Sequence, residues 1–281
     1  MSLVVNTNMG SQIAQRHLFN AGNSLAASMQ RLSSGLRINS AGDDAAGLAL
    51  AKKIGAQVSA SDVAKSNAQT GINMIQTAES DLAVIHDNLQ RMRDLAVQSS
   101  NGVYSSSERK MLNSEFNNRL SEVDRIAKSS KFSSINLLDG TTGAQVNLQV
   151  GTDSSSNDRI DIASVFKNFQ VAAGSQMAGL NGVSITTAAT ALSQISSVGM
   201  AISAVSNARS SMGATINRLQ GAIARIDARK ENMASSLSVI QDADVAKESA
   251  DLTRNQILKQ AATSMLSQAN QTPQLALRLL Q

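Results

Sequence analysis

Cysteine is absent from all 281 residues, which excludes disulfides, thiolate metal sites and a cysteine nucleophile. Proline occurs once, tryptophan not at all, and five Phe with one Tyr bring the aromatic content to only 2%. A single proline argues against a loop-rich sandwich or barrel, whose many turns recruit Pro and Gly clusters. Histidine is nearly missing too. His17 and His86 lie on different predicted helices and lack the spacing that puts two zinc ligands on one helix face. The adjacent carboxylates Asp43 and Asp44 would point apart on a helix, and they read as acids placed at the positive end of a helix dipole. No Gly-rich phosphate loop, nucleophile elbow or kinase-like set occurs. No catalytic, cofactor-binding or metal-binding residue is therefore assigned, and no cofactor is expected.

Charge of one sign is also scarce in blocks. Lys and Arg number 25 against 21 Asp and Glu, a net +4, and the signs are interleaved along nearly the whole chain. Residues 1–42 carry Arg16, Arg31 and Arg37 without an acid, too weak a bias to argue for nucleic acid. The first fifteen residues have no basic start and no apolar stretch longer than Leu3-Val4-Val5, so no cleavable secretion signal is expected. No apolar window is expected to reach the length of a membrane span, so membrane insertion is not expected either.

What the chain does have is apolar periodicity. The apolar fraction is an ordinary 42%, supplied mainly by Ala, Leu, Ile and Val. In the second half, Ala191, Ile195, Val198, Ile202, Val205, Arg209, Met212, Ile216, Leu219, Ile223, Ile226, Lys230, Met233, Leu237 and Ile240 are spaced by three and four. This is a heptad seam, interrupted only by Arg209 and Lys230, whose long stems can snorkel to its edge. A second seam combines Ile75, Leu82, Leu89 and Ala96 with Ala78, Ile85 and Met92, extending back through Gly71, Ala68 and Ala64. Helices over 44–99 and 186–240 would each be roughly 80 Å long, and their matched lengths predict that they pack side by side. Ile216, Leu219, Ile223 and Ile226 are expected to meet the segment carrying Leu82, Ile85 and Leu89.

A third helix is marked by Leu112, Phe116, Leu120, Val123 and Ala127. It opens at Ser105 with Glu108 three residues on, a capping-box pattern, which leaves 99–102 as a turn between antiparallel helices. Between 131 and 169 the helical period gives way to alternation at Val146, Leu148 and Val150, and then at Ile160 and Ile162, around a polar loop at 151–158. That is one β-hairpin, with Asp139-Gly140 marking a further turn. Residues 170–185, rich in Gly, Ala and Ser, read as a connection. At the ends, Leu18, Leu25 and Leu32 recur by seven, as do Leu258 with Met265 and Ala262 with Ala269, while Thr272-Pro273 restarts or kinks a helix before Leu275, Leu279 and Leu280.

The predicted fold is thus mainly α: a long antiparallel helical rod or coiled-coil bundle with a small β-hairpin region, plus a terminal two-helix coiled-coil tier. The expected division is 1–43 with 241–281 as the terminal tier and 44–240 as the rod, with the hairpin region at about 131–169.

Several long motifs then carry a resemblance that periodicity alone does not supply. Asn6-Thr7-Asn8, the run from Leu32-Ser33-Ser34-Gly35-Leu36-Arg37-Ile38-Asn39 through Gly42-Asp43-Asp44-Ala45-Ala46-Gly47-Leu48-Ala49, and Leu89-Gln90-Arg91-Met92-Arg93-Asp94-Leu95-Ala96-Val97-Gln98 resemble segments of bacterial flagellin. Leu258-Lys259-Gln260-Ala261, Gln268-Ala269-Asn270-Gln271 and Leu279-Leu280-Gln281 are similar to the flagellin C-terminus. The resemblance covers almost the whole chain, in order.

That resemblance implies a subunit that polymerises with copies of itself into the extracellular flagellar filament, the helical propeller of swimming motility. It also implies a short form lacking the outer variable domains that longer members carry. Its partners would be the type III export apparatus, an export chaperone, and the filament cap and junction proteins. Leu18, Leu25, Leu32, Leu258, Met265, Leu275, Leu279 and Leu280 would form the terminal polymerisation stripe. Arg91, Leu95 and Glu115 match positions recognised by the vertebrate Toll-like receptor for flagellin, with Asp94 and Met92 departing from the usual Glu and Val. A hook-filament junction protein shares such ends and is the alternative. A chemoreceptor-like signalling hairpin would use similar heptads but also a membrane segment.

Overall fold

The structure is a computed structural model that describes residues 8–141 and 146–279, with side chains described as far as residue 271. Five helices carry it: α1 (Met9–Ser34), α2 (Ala45–Ser100), α3 (Ser106–Ser129), α4 (Ala188–Gln241) and α5 (Val245–Leu279). Four short strands, β1 (Lys131–Phe132), β2 (Ile135–Asn136), β3 (Asn147–Gln149) and β4 (Arg159–Asp161), form two antiparallel pairs. The fold is mainly α, as predicted. The chain divides into two compact units, Ser59–Lys230 on one hand and Met1–Val58 with Glu231–Gln281 on the other.

In the 59–230 unit the α2 heptads form the centre of the core. Ile75, Ala78, Leu82, Ile85, Leu89, Met92 and Ala96 are all wholly buried, and each large member contributes about 1.5–3 kcal/mol by leaving water. α3 folds back along α2. Its start is a complete capping box: Ser105 Oγ accepts from the Glu108 N–H at 3.3 Å, and Glu108 Oε2 accepts from the Ser105 N–H at 2.7 Å. Arg109, in the first turn of α3, donates from Nε to the Ser99 carbonyl and from Nη2 to the Asn101 carbonyl, both at 2.9 Å. One guanidinium thereby satisfies orphan acceptors around the end of α2.

α4 corrects the predicted seam in two ways. Ala191, Val198, Val205, Met212 and Leu219 are buried, but the stripe that alternates with them is Ala201, Ala208, Thr215 and Ala222. The expected partners Ile195, Ile202, Ile216 and Ile223 are only half-buried at the edge of the core. Small residues therefore alternate with the large buried ones, and the isoleucines flank them. The register is also displaced. Lys65 pairs with Asp227 at 2.9 Å, Asp62 with Lys230 at 2.5 Å and Glu79 with Arg209 at 2.9 Å. In this antiparallel pairing Leu219 and Ile223 lie level with residues near Ala68 and Ile72, not with Leu82, Ile85 and Leu89.

One stretch of 18 residues within α4 reaches a mean hydropathy of 1.4 and is long and apolar enough to cross a membrane by length and composition. This overturns the expectation that no such window exists. Among the apolar side chains of α4, Val198, Ala201, Val205 and Met212 belong to the core cluster.

The predicted hairpin is β3 with β4, in register Leu148↔Ile160. It lies over α2 with Leu148 against Gly71, while Asn67 Nδ2 donates to the Gln149 carbonyl at 3.1 Å. The second pair, β1 with β2, turns through Ser133 at φ 54°. Residues 170–185 are more than a connection, because Met177, Leu180 and Ile185 are buried in the core cluster, as are Val165, Phe166 and Phe169 just before them. Asn113 Oδ1 accepts from the Ile185 N–H at 2.8 Å and Asp124 Oδ1 from the Val171 N–H at 2.9 Å, anchoring that stretch to α3.

Candidate assembly surfaces

In the other unit α1 and α5 pair antiparallel along a seam built from small and polar residues. Ser11, Ala14, Ala21 and Ser28 are the buried residues of α1, and Glu248 and Ala262 are buried on α5. Ser11, Leu18, Leu25 and Leu32 alternate by three and four with Ala14, Ala21 and Ser28, so the predicted leucines do lie on the paired side, where they are half-buried. Ties mark both ends of the pair. Asn8 Nδ2 donates to the Ala269 carbonyl and Ser11 Oγ to Asn270 Oδ1, both at 2.8 Å, while Arg31 faces Glu248 at 3.9 Å.

Large apolar side chains lie outside that seam. Leu258 and Met265 are 50% and 65% exposed, and Met9, Ile13, Phe19, Met29 and Ile257 are exposed as well. Met9, Ile13, Leu258 and Met265 line a mostly apolar groove of about 800 Å³ between α1 and α5, with His17 at its side. Leu258 lies four residues before and Met265 three residues after the buried Ala262, which sets them about 40° and 60° to one side of it around α5, at the rim of the seam rather than within it. Leu280 and the side chains of Leu275 and Leu279 lie outside the described residues. Met9, Ile13, Phe19 and Ile257 escaped the sequence reading because they break the seven-residue spacing. That break was the available signal.

The loops leading out of α1 and α4 are stitched together inside the same unit. Gly35 adopts the left-handed conformation at φ 71° and caps α1. Its carbonyl accepts from the Ala243 N–H at 2.9 Å, while the Arg37 N–H donates to the Gln241 carbonyl at 2.7 Å. Arg37 Nη2 also donates to the Ile240 carbonyl at 2.6 Å, placing a cation at the negative end of α4. Asp43 Oδ2 accepts from the N–H groups of Asn39 and Ser40 and from Ser40 Oγ. These bonds, led by the Ser40 N–H, hold its carboxyl below the ordinary aspartate range. Asp44 Oδ1 accepts from the Gly47 N–H at 2.8 Å, so the acid pair serves the loop and the helix start.

On the 59–230 unit, Arg91 and Glu115 form a two-pronged pair across α2 and α3, with Nε to Oε1 at 2.9 Å and Nη2 to Oε2 at 3.2 Å. The Arg91 hydrogen bond holds the Glu115 carboxyl below the usual glutamate range, against a small opposing cost of desolvation. Leu95 does not join this patch, because it is wholly buried in the core. Among the described residues, no three His, Asp or Glu side chains converge to hold a metal ion. His86 Nε2 lies 2.9 Å from Gln90 Nε2 as a local helix contact.

Residues 5–143 match the family model described as the bacterial flagellin N-terminal helical region, and 185–280 match the bacterial flagellin C-terminal helical region. A flagellin from Halalkalibacterium halodurans is 41% identical over 99% of this chain and 100% of its own length. A flagellar filament 33 kDa core protein from Treponema phagedenis is 38% identical over 99% of this chain and 100% of its own length. A solved chain assigned as a flagellar hook-associated protein of Vibrio parahaemolyticus shares the fold at a TM-score of 0.56 and 16% identity, covering 71% of this chain and 99% of that one. Helical regions matched at both ends, together with relatives aligned over nearly their full length, make this chain a member of the bacterial flagellin family.

Proposed function

We propose that this filament subunit polymerises by burying the outward apolar face of its α1–α5 pair against further copies. The chain is a structural protein and not an enzyme, and the hook-filament junction reading is not favoured beside the flagellin relatives. The observation that carries the proposal is the inversion of the terminal pair: small and polar residues fill its seam, while Ile13, Ile257, Leu258 and Met265 face outward. An exposed apolar groove of this size marks an interaction surface. Identical copies meeting through different patches make contacts that do not close, and the product is a helical polymer.

The test is the double variant Leu258→Ser with Met265→Ser, mixed with short filament seeds and followed by electron microscopy. Helicity and melting temperature of the monomer should stay near wild type, because both side chains are already exposed. Seeded elongation should be lost. Filaments of ordinary length from the variant would overturn the assignment of this face.

The filament is an extracellular structure, and the same reading takes the chain there through the flagellar export apparatus, with an export chaperone, junction proteins and a filament cap as partners. Recognition by the vertebrate Toll-like receptor for flagellin belongs to this proposal too. The exposed Arg91–Glu115 pair supports it, and Leu95 would act only by supporting the helix beneath. A reporter-cell assay should give a weaker signal from Arg91→Ala monomer than from wild type, through loss of a planar multi-donor cation. Equal signals would remove Arg91 from the receptor contact.

A further inference from the structure

Where the turn between β3 and β4 meets α4, the 59–230 unit holds a pocket of about 270 Å³. Arg225 and Arg229 stand on its α4 wall one helical turn apart, and Thr152 and Asp158 stand on the turn opposite. Of the acids near them on α4 and α2, Asp227 is engaged with Lys65 and Asp62 with Lys230, and Glu231, two residues from Arg229, lies on a different face of the helix. Like charges at this spacing repel and destabilise a helix unless something neutralises them. Thr152 adds an independent observation: its hydroxyl oxygen is buried and has no hydrogen-bond partner. A buried hydroxyl without a partner is a costly arrangement that native structures rarely keep without a reason.

We propose that this pocket binds a small oxyanion of the phosphate or carboxylate class. Two guanidiniums supply planar sets of N–H donors that match oxyanion geometry, and the Thr152 hydroxyl donates from the opposite wall. Asp158 is the one acidic lining residue, and its carboxylate lies against Gly151. Its charge opposes the anion and keeps the site weak, so that it fills only where the oxyanion is abundant or tethered. Two sources share this chemistry: free phosphate, and a carboxylate side chain of a second copy. The second source rests on the polymerisation reading above, whereas the first does not.

The experiment titrates inorganic phosphate into the full-length monomer in dilute chloride buffer and follows the arginine side-chain N–H signals and the Thr152 amide by NMR. Saturable shifts are expected at Arg225, Arg229 and Thr152. Affinity should fall roughly tenfold for each guanidinium removed in Arg225→Gln and Arg229→Gln, and should rise in Asp158→Asn. The arginines are exposed, so circular dichroism should report unchanged folding in all three variants. Shifts that never saturate, or equal affinity in wild type and an Arg225→Gln/Arg229→Gln double variant, would overturn the site. Labelled phosphate retained on seeded filaments would identify the free anion as the source. Its exclusion, together with a raised critical concentration for the double variant, would identify a neighbouring copy's carboxylate.

Discussion

At Gly71 the lack of a side chain decides where the hairpin can sit. A Cβ added there would run into Leu148 Cδ1, so the β3 residue Leu148 uses the space that glycine leaves open on α2. Gly71→Val should destabilise the protein by about 1–3 kcal/mol through overpacking, although valine is the better helix former of the two. Leu148→Ala in the same background should recover part of that loss. Urea denaturation of the three proteins checks this, and an unchanged midpoint for Gly71→Val would move Leu148 off the glycine. Glu115 gives a residue-scale prediction of another kind. Its folded-state pKa lies below the ordinary 4.5 because Arg91 donates to its ionised form. The stabilisation is therefore complete above that ordinary value and is lost as pH falls through the lowered one. Melting curves taken between about pH 6 and pH 3 should show wild type losing its advantage over Glu115→Gln at the acid end, while the difference stays constant above the ordinary glutamate value. The Arg91–Glu115 pair was legible in the sequence as residues on consecutive antiparallel helices. Leu95 was not, because a spacing of four turns a side chain by about 40° around the helix. That suffices to carry it from the rim into a core flanked on two sides.

At the scale of elements, chemistry that acts locally was the most legible. The Ser105–Glu108 box starts α3 where the sequence places it, and alternating residues pair as β3 and β4. The β1–β2 turn escaped because Ser133, not a glycine, takes the positive φ. The 163–185 segment escaped because its buried Phe166, Phe169, Met177 and Leu180 follow neither a helical nor a strand period. On α4 the apolar period revealed the helix but misjudged which positions are innermost. Alanine carries too little hydrophobic signal to compete with isoleucine, yet Ala201, Ala208 and Ala222 are buried where the isoleucines are not. The consequence is measurable. Leu219→Ala should cost about 2–5 kcal/mol as a fully buried deletion, whereas Ile223→Asp should cost clearly less than Leu219→Asp because its carboxylate can reach water from a half-buried position. Thermal denaturation of these variants in the full-length chain tests the order. Equal losses at 219 and 223 would restore the seam read from spacing alone.

For the whole molecule, the division of labour between the units follows from what each buries. The 59–230 unit has a core in which Leu82, Ile85, Leu89 and Phe116 are wholly inside, although Met111, Leu192 and Met200 are exposed on its surface. The terminal pair turns Met9, Ile13, Leu258 and Met265 outward, and among the described residues the only buried ones between its helices are Ser11, Ala14, Ala21 and Ser28 of α1 with Glu248 and Ala262 of α5, the α1 leucines being half-buried beside them. Helices that bury so little on their own depend on neighbours, and polymerisation supplies them. Deleting residues 275–281 should accordingly leave secretion intact while abolishing filament growth, measured as subunit in the culture medium and as filaments by electron microscopy. Normal-length filaments from the truncated chain would contradict this. The terminal helices were legible as helices, and the leucine heptad placed the paired side of α1. Which large residues face outward was not, because exposure in a polymer subunit is decided by copies the single sequence does not display. The stitched loops at Gly35, Arg37 and Ala243 also impose a direction in time. Asn8 and Ala269 are 261 residues apart along the chain, yet once the loops are tied, only a short path separates Arg31 from Glu248. Loop-closure entropy then favours contact at that end first, so α1 and α5 should close like a zipper from Arg31 and Glu248 toward Asn8 and Ala269 and fray in the reverse order. Amide exchange on the monomer should show that polarity as protection declining along α1 toward Met9 and along α5 toward Ala269.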